Sequence, residues 1–160
     1  MDDRIKRHAK ILVEWCTDIN KDDRVLISSG IPGHDLVVAI MSELGRIGAQ
    51  PFVSFTSDEC SRAFFDSSTK ESLSYKSERA RMIYENSDVM IFIDSPFNTS
   101  TYANADRDKI AIKSIMNKEI DDIVKKKRWC VTVHPSLSLA QQATMSLTEY
   151  SNIIYNAILI

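Results

Sequence analysis

The sequence predicts an α/β protein, a three-layer sandwich in which helices cover both faces of a four-stranded, mainly parallel sheet of the flavodoxin-like or Rossmann-like type. Short apolar runs rich in β-branched residues alternate with segments of helical periodicity. Two of these runs, Val25–Ile27 and Val89–Ile93, have no polar alternation, which is typical of strands buried on both faces. The segments between runs are long enough for the helical crossovers that parallel strands require. Right-handed crossovers then favour the strand order 2-1-3-4, within a single domain spanning residues 1–160.

The first predicted element is an amphipathic helix near the start of the chain. Apolar residues recur at steps of three and four, and they are Ile5, Ala9, Leu12, Cys16 and Ile19. This spacing predicts that Cys16 faces the core, whereas the same pattern leaves His8 at the surface. Asn20–Asp23 is polar and is expected to end the helix.

Four strands and the helices between them follow from the same patterns. The predicted strands are 24–28, 50–55, 89–93 and 129–133. A helix after the first strand is expected to end at Gly48. Residues 59–87 are the least regular segment and predict one helix, with Ser57 and Asp58 as its cap. A long helix precedes the fourth strand, with one apolar face made of Ile112, Met116, Ile120 and Ile123.

The segment from Trp129 to Tyr150 is the most informative part of the chain. Pro135 cannot donate to a strand ladder, so the fourth strand should end before it. Ser146 stands three residues before Glu149, which is the spacing of a capping box and predicts a helix start. The sequence reaches Ile160 inside this predicted helix without a helix stop signal. We therefore expect a second domain to be missing from this chain.

Composition excludes several classes of protein. The sequence is 44% hydrophobic and 26% charged with a net charge of -2, which is ordinary for a globular protein and gives no general attraction to nucleic acid. No apolar run approaches the roughly 20 residues that cross a bilayer. The N-terminus lacks a secretory signal, and three scattered cysteines, Cys16, Cys60 and Cys130, do not make a disulfide framework. A cytoplasmic location is expected, without membrane or nucleic-acid partners.

The residues that could face a ligand lie where strands end. In an open parallel sheet, ligands bind beyond the carboxyl ends of the strands. The candidates at that edge are Ser29, Gly30, Asp58, Asp94, Ser95, Asn98 and His134. The first loop, residues 28–35, lacks the glycine spacing of phosphate-binding turns and places Asp35 where an anion would sit. A plain strand-to-helix turn is favoured there, and a free-standing module that binds a nucleotide or small anion remains the alternative.

Other catalytic arrangements have weak support. Asp94, Ser95 and His134 have the residue types of a hydrolytic triad, but no Gly-x-Ser-x-Gly elbow presents the serine. His8, His34 and His134 belong to no metal-binding spacing, so we expect neither catalytic residues nor a metal site in this chain. Trp15 and Trp129 are expected to serve packing rather than base stacking.

An ordered series of short motifs resembles one enzyme family. His134-Pro135-Ser136, Leu139-Ala140-Gln141 and Met145-Ser146-Leu147 with Glu149-Tyr150 are similar to the stretch in which the first domain of metallo-aminopeptidases of the aminopeptidase T and S type, often called leucyl aminopeptidases, leads into the second. The order of the earlier elements agrees, including Arg24–Ile27, Gly48-Ala49, the acidic stretch from Asp88 to Asp94, and the group Thr101, Asn104, Ala105 and Asp106. The His-Pro pair departs from the family pattern, in which an aromatic residue precedes the proline.

This resemblance implies a two-domain, dimeric, cytoplasmic exopeptidase that frees N-terminal residues such as leucine from peptides. Two divalent ions, zinc, cobalt or similar, would activate water and polarise the scissile carbonyl in the second domain. That domain is absent here, so the resemblance assigns no metal ligand to this chain. It implies a wall or gate of the active-site cleft that is inactive alone. A third possibility is an interaction domain that dimerises through the apolar residues 153–160.

Overall fold

The computed structural model describes residues 1–159 and contains a four-stranded sheet in the order β2-β1-β3-β4. All three strand pairings are parallel, which confirms the predicted fold class and strand order. The strands are β1 Arg24–Gly30, β2 Gln50–Thr56, β3 Val89–Asp94 and β4 Arg128–Val133. Each strand is slightly longer than its apolar run, because backbone pairing continues past the last buried side chain.

Eight α-helices surround the sheet within the described residues. They are α1 Asp3–Ile11, α2 His34–Ile47, α3 Asp58–Ser67, α4 Lys70–Leu73, α5 Glu78–Glu85, α6 Arg107–Val124, α7 Leu137–Gln142 and α8 Leu147–Ile158. A π-helical turn, Leu12–Cys16, continues α1, and a 3₁₀ turn, Ile31–Gly33, precedes α2. None of the helices in residues 1–159 is long and apolar enough to cross a bilayer.

The two sheet faces carry different layers. Alternate residues of the central strands, such as Val25, Ile27, Val89 and Ile91, are buried in one cluster with apolar residues of α1, α2 and α8. Because the crossovers to β3 and β4 run in the direction opposite to the crossover to β2, right-handedness puts α3–α6 on the other face. The strand edge that ends at residues 30, 56, 94 and 133 lies between these layers.

The start of the chain differs from the predicted single helix. The Thr17 N–H donates to the Leu12 carbonyl at 3.2 Å, a five-residue step that defines the π-helical turn. The wider turn shifts the periodicity, so Thr17 is buried while Cys16 and Trp15 are exposed, Trp15 by 82%. The prediction that Cys16 faces the core was therefore wrong, as was a packing role for Trp15.

The segment 59–87 also differs from its prediction. It forms the three helices α3, α4 and α5 rather than one, and each begins at a serine or threonine. The side chains of Ser57, Thr69 and Ser77 accept hydrogen bonds from backbone amides in the first turns. Three separate caps divide the segment, because each cap favours a non-helical backbone at its own position.

The C-terminal segment follows the sequence prediction closely until its last turn. β4 ends at Val133, before Pro135, and Ser146 and Glu149 form the reciprocal capping box of α8. However, α8 ends at Ile158 with Leu159 as its C-cap, so the expected continuation of the helix was wrong. Ile160 lies outside the described residues.

The capping box gives a test of how α8 is held. Replacing Ser146→Ala removes the acceptor of the Glu149 N–H, which lies 3.3 Å from the hydroxyl oxygen. Loss of a serine N-cap costs about 1 kcal/mol, so we expect the free energy of unfolding in urea to fall by about that amount. Thr148→Ala in the same turn is the matched control and should change it by less than about 0.5 kcal/mol. Equal effects of the two substitutions would contradict the assignment.

Candidate functional site at the carboxyl edge of the sheet

The predicted site residues all lie at or just beyond the carboxyl ends of the strands. Ser29 and Gly30 end β1, Asp94 ends β3, and the remaining ones lie in the following loops or helix starts, as Asp58, Ser95, Asn98 and His134. Their exposure divides them into two groups. Asp94 and Asn98 are exposed, and Gly30 and Asp58 are half-buried. Ser29, Ser95 and His134 are buried, so these three side chains are not available to a ligand at the surface.

Asp58 organises the loop after β3. Its carboxylate accepts hydrogen bonds from the backbone N–H groups of Phe97 at 2.8 Å and Asn98 at 3.1 Å. The side-chain oxygen of Asn98 in turn accepts from the N–H of Ser100 at 2.8 Å. Because ionised acceptors form the stronger backbone hydrogen bonds, Asp58 fixes the path of this loop.

The loop after β3 is also tied to the loop after β4. The His134 N–H donates to the Asp94 carbonyl at 3.0 Å, which extends the β3–β4 pairing by one step. The Ser138 hydroxyl donates to the Pro96 carbonyl at 2.6 Å. These bonds give the exposed Asp94 side chain a backbone anchored on both sides.

The turn between β1 and α2 is closely packed against the loop after β3. A Cβ added at Gly30 would overlap the Ser95 carbonyl oxygen, and one added at Gly33 would overlap the Ser29 hydroxyl. The protein's own atoms thus fill the space that a phosphate would need beside these glycines. Glycine is required here because two loops approach each other, and not because a ligand lies on the turn.

Under the strand edge, two histidines from distant parts of the sequence lie near one tyrosine. His8 of α1 is 1% exposed, so the prediction of a surface histidine was wrong. Its Nε2 lies 2.8 Å from the Thr132 hydroxyl oxygen, and its ring packs edge-on against Tyr155 at 6.2 Å between centroids. The Tyr155 hydroxyl lies 3.5 Å from Nδ1 of His134. This group, which we call the His8 cluster, joins α1, β4 and α8.

Burial sets the protonation of the His8 cluster. Burial, with a further contribution from nearby His134, lowers the pKa of His8 to about 4. Burial also lowers the pKa of His134, against a smaller opposing effect of the Asp35 carboxylate. Burial raises the pKa of Tyr155 to about 12. Near neutral pH all three side chains are uncharged, which suits packing between helices and a sheet rather than acid–base chemistry at the surface.

Neither a hydrolytic triad nor a metal centre is assembled from the candidates. The buried Ser95 hydroxyl has no hydrogen-bond partner in the described structure, and His134 is directed to Tyr155 instead. In residues 1–159, no three histidine, cysteine, aspartate or glutamate side chains come together as a ligand set. Since His8 and His134 are committed to Thr132 and Tyr155, the residues described here do not fit a catalytic metal.

Some of this arrangement was missed from the sequence. Thr132 and Tyr155 were not recognised as polar partners, since nothing local relates them to α1. A signal for His8 did exist, because it lies three residues after Ile5 and four before Leu12, and all three are buried. That spacing puts His8 on the core face of the helix.

The fold and its exposed strand-end loops place the chain in the class of open, parallel α/β domains. Within that class its family is shown by sequence: a family model described as thermophilic metalloprotease (M29) matches residues 1–160, and the chain belongs to this family. Among solved structures, wild-type AmpT from Thermus thermophilus is similar, with a TM-score of 0.76 and 14% identity over 98% of this chain and 42% of that chain. At this identity the likeness concerns the fold. The chain spans about 42% of the length of that structure. No curated protein matches.

The His8 cluster predicts a pH dependence of stability. The pKa of His8 is about 4 in the folded protein and about 6.5 in the unfolded chain, so between these values the unfolded chain binds more protons. The free energy of unfolding should therefore fall as the pH is lowered through this range, with a contribution from His8 of about 2 to 3 kcal/mol. Urea titrations from pH 7.5 to 4 would measure it.

The control separates His8 from acid effects shared by the whole protein. In His8→Gln, which keeps a nitrogen able to reach Thr132 but does not titrate, the fall in the free energy of unfolding should be shallower. His34→Gln changes a histidine whose side chain is 64% exposed and should leave the wild-type slope. A wild-type slope in His8→Gln would show that His8 is not buried in its neutral form.

Proposed function

We propose that this chain is the N-terminal domain of a metal-dependent aminopeptidase of the aminopeptidase T and S type, an exopeptidase that releases N-terminal residues such as leucine. The observation that carries the proposal is the family match over residues 1–160 together with a described structure that assembles no metal-ligand set. A metalloprotease needs such a set. We infer that the ligands belong to a C-terminal catalytic domain and that this domain alone is inactive.

The carboxyl edge of the sheet is the surface that suits a role beside an active site. Asp94 and Asn98 are exposed there, and their loop is held by the Asp58 carboxylate and by Ser138. A surface that forms one wall of a cleft must keep its shape when a substrate binds, and anchored loops on a rigid sheet provide this. We propose that this edge faces the catalytic domain and the peptide, as a wall or gate of the cleft.

The remaining features of the proposal come from the resemblance. The parent enzyme would hold two divalent ions, zinc, cobalt or similar, in its catalytic domain and would act as a cytoplasmic homodimer. The partners of this chain would then be its own C-terminal domain and, across the cleft, the peptide substrate. The alternative of a free-standing nucleotide or anion module finds no support at the first loop, where Ser95 and Ser29 fill the space beside Gly30 and Gly33.

The first test compares this chain with the full reading frame that contains it. The longer protein should bind about two divalent ions per chain and hydrolyse leucyl-anilide, whereas the 160-residue chain should do neither. Metal content is measured by atomic emission after dialysis, and hydrolysis by absorbance. Stoichiometric metal or activity in the 160-residue chain would overturn the proposal, as would a reading frame that closes at Ile160.

The second test addresses the wall role in the longer protein. Asp94→Ala removes an exposed carboxylate from the strand edge without touching the anchoring bond of its carbonyl to His134. We expect KM for leucyl peptides to change by about threefold to tenfold with unchanged metal content, because loss of one exposed contact is worth about 1 kcal/mol. Asp121→Ala on the exposed side of α6 is the control and should leave KM unchanged. Equal KM values for the two variants would place the cleft elsewhere.

A further inference from the structure

A groove on the helical layer opposite α1 and α2 has features that the proposed function does not use. It lies among α3, the segment that joins α4 to α5, and α6, and its volume is about 660 Å³. Binding sites for small molecules typically measure about 300 to 1,000 Å³ and are lined by apolar and aromatic side chains with a few polar groups. We call it the α4–α6 groove.

The walls of the groove are aromatic and aliphatic. Phe64 of α3 and Tyr75 after α4 both line it, although 66% and 73% of their surfaces are exposed. Leu73, Met116 and Ile120 add half-buried apolar surface. Exposed aromatic rings that converge on one concavity are more informative than rings scattered singly over a surface, because together they can cover an apolar ligand.

One cation in the lining is held in place without a carboxylate partner. The half-buried Lys113 ammonium donates to the Tyr102 hydroxyl at 2.5 Å and lies 4.2 Å from the centroid of that ring. The Tyr102 ring packs edge-on against buried Phe65, with 5.2 Å between centroids, so the position of Lys113 is fixed from below. Within residues 1–159, no carboxylate oxygen lies within 4.0 Å of the Lys113 ammonium.

The other lining cations already have acidic neighbours. Lys76 pairs with Glu119 at 3.0 Å, and Arg81 pairs with Glu85 at 2.8 Å. The carboxylate of Glu78 also lies near Arg81 and helps to raise the pKa of that guanidinium. Lys113 is therefore the lining cation whose charge is left for a ligand, and two of its three ammonium hydrogens are not used by Tyr102.

We propose that the α4–α6 groove binds a small monocarboxylate with an apolar aromatic or branched aliphatic body. The carboxylate would pair with Lys113, and the body would lie between Phe64 and Tyr75. Charge complementarity selects an anion because Lys113 is the unmatched charge, and the apolar walls select against small hydrated anions such as acetate or phosphate. The groove is far from the residues proposed to form the cleft wall, so the inference stands apart from the proposed function.

The experiment titrates the 160-residue chain with 4-phenylbutyrate and follows backbone amide shifts by NMR. Saturable shifts should centre on the α4–α6 groove, at Tyr75, Lys113 and Asn117. The neutral 4-phenylbutanamide keeps the body without the charge, and acetate keeps the charge without the body. Each should bind at least about tenfold more weakly, since a charge-assisted hydrogen bond or a buried phenyl group contributes at least that factor.

Variants show whether Lys113 provides the recognition. Lys113→Met, which keeps an unbranched chain, should weaken 4-phenylbutyrate binding about tenfold while leaving 4-phenylbutanamide unchanged. Lys118→Met, a lysine of α6 that is exposed and does not line the groove, is the matched control and should bind like the wild type. Phe64→Ala should weaken both ligands, and because its ring is largely exposed the fold should persist.

Several outcomes would overturn the inference. No saturable shift with 4-phenylbutyrate, equal affinity for the acid and the amide, or wild-type binding by Lys113→Met would each do so. Groove shifts that grow with protein concentration in the absence of ligand would show that a second copy of the chain occupies the surface instead. Activity of the longer enzyme is not measured in this experiment, so its result is independent of the aminopeptidase proposal.

Discussion

The parallel pairing of β1 with both β2 and β3 is the constraint on which the rest of the structure depends. Parallel strands cannot be joined by hairpins, so each connection must cross the sheet, and helices serve as the crossovers. Those helices bury both faces of β1 and β3, which explains why both strands are apolar throughout. The same pairing collects the carboxyl ends of all four strands at one edge, where the loops that follow them are the natural place for a binding surface.

Much of this architecture could be predicted because its signals are local. The apolar runs at Val25–Ile27 and Val89–Ile93 identify the central strands, and the capping box at Ser146 identifies the start of α8. The π-helical turn after Ile11 could not be predicted from periodicity, because that pattern assumes a constant helical step. The buried state of His8 depends on Thr132 and Tyr155, which are more than a hundred residues away in sequence.

The candidate site divides in the same way. Topology predicts which residues reach the edge, but it does not predict which of them face outward. Asp58 has the residue type of a ligand or catalytic acid, yet its carboxylate accepts two backbone N–H groups of the loop after β3. Asp94 is exposed because its strand ends one residue later than the apolar run. The aromatic groove was missed because Phe64, Tyr75 and Tyr102 belong to segments with no shared periodicity.

The contact between α1 and α8 brings the two ends of the described chain together. Arg4 donates to the side-chain oxygen of Asn152 at 2.8 Å, and its guanidinium lies 4.9 Å from the centroid of the Tyr155 ring. Arg7 reaches the Leu159 carbonyl at 3.5 Å. The fold is therefore nearly a closed circuit, in which a short linker could join the ends and a new opening could be made in the exposed loop at Thr99 and Ser100. Such a circular permutant would keep every strand pairing while moving the chain ends from the helical layer to the strand edge.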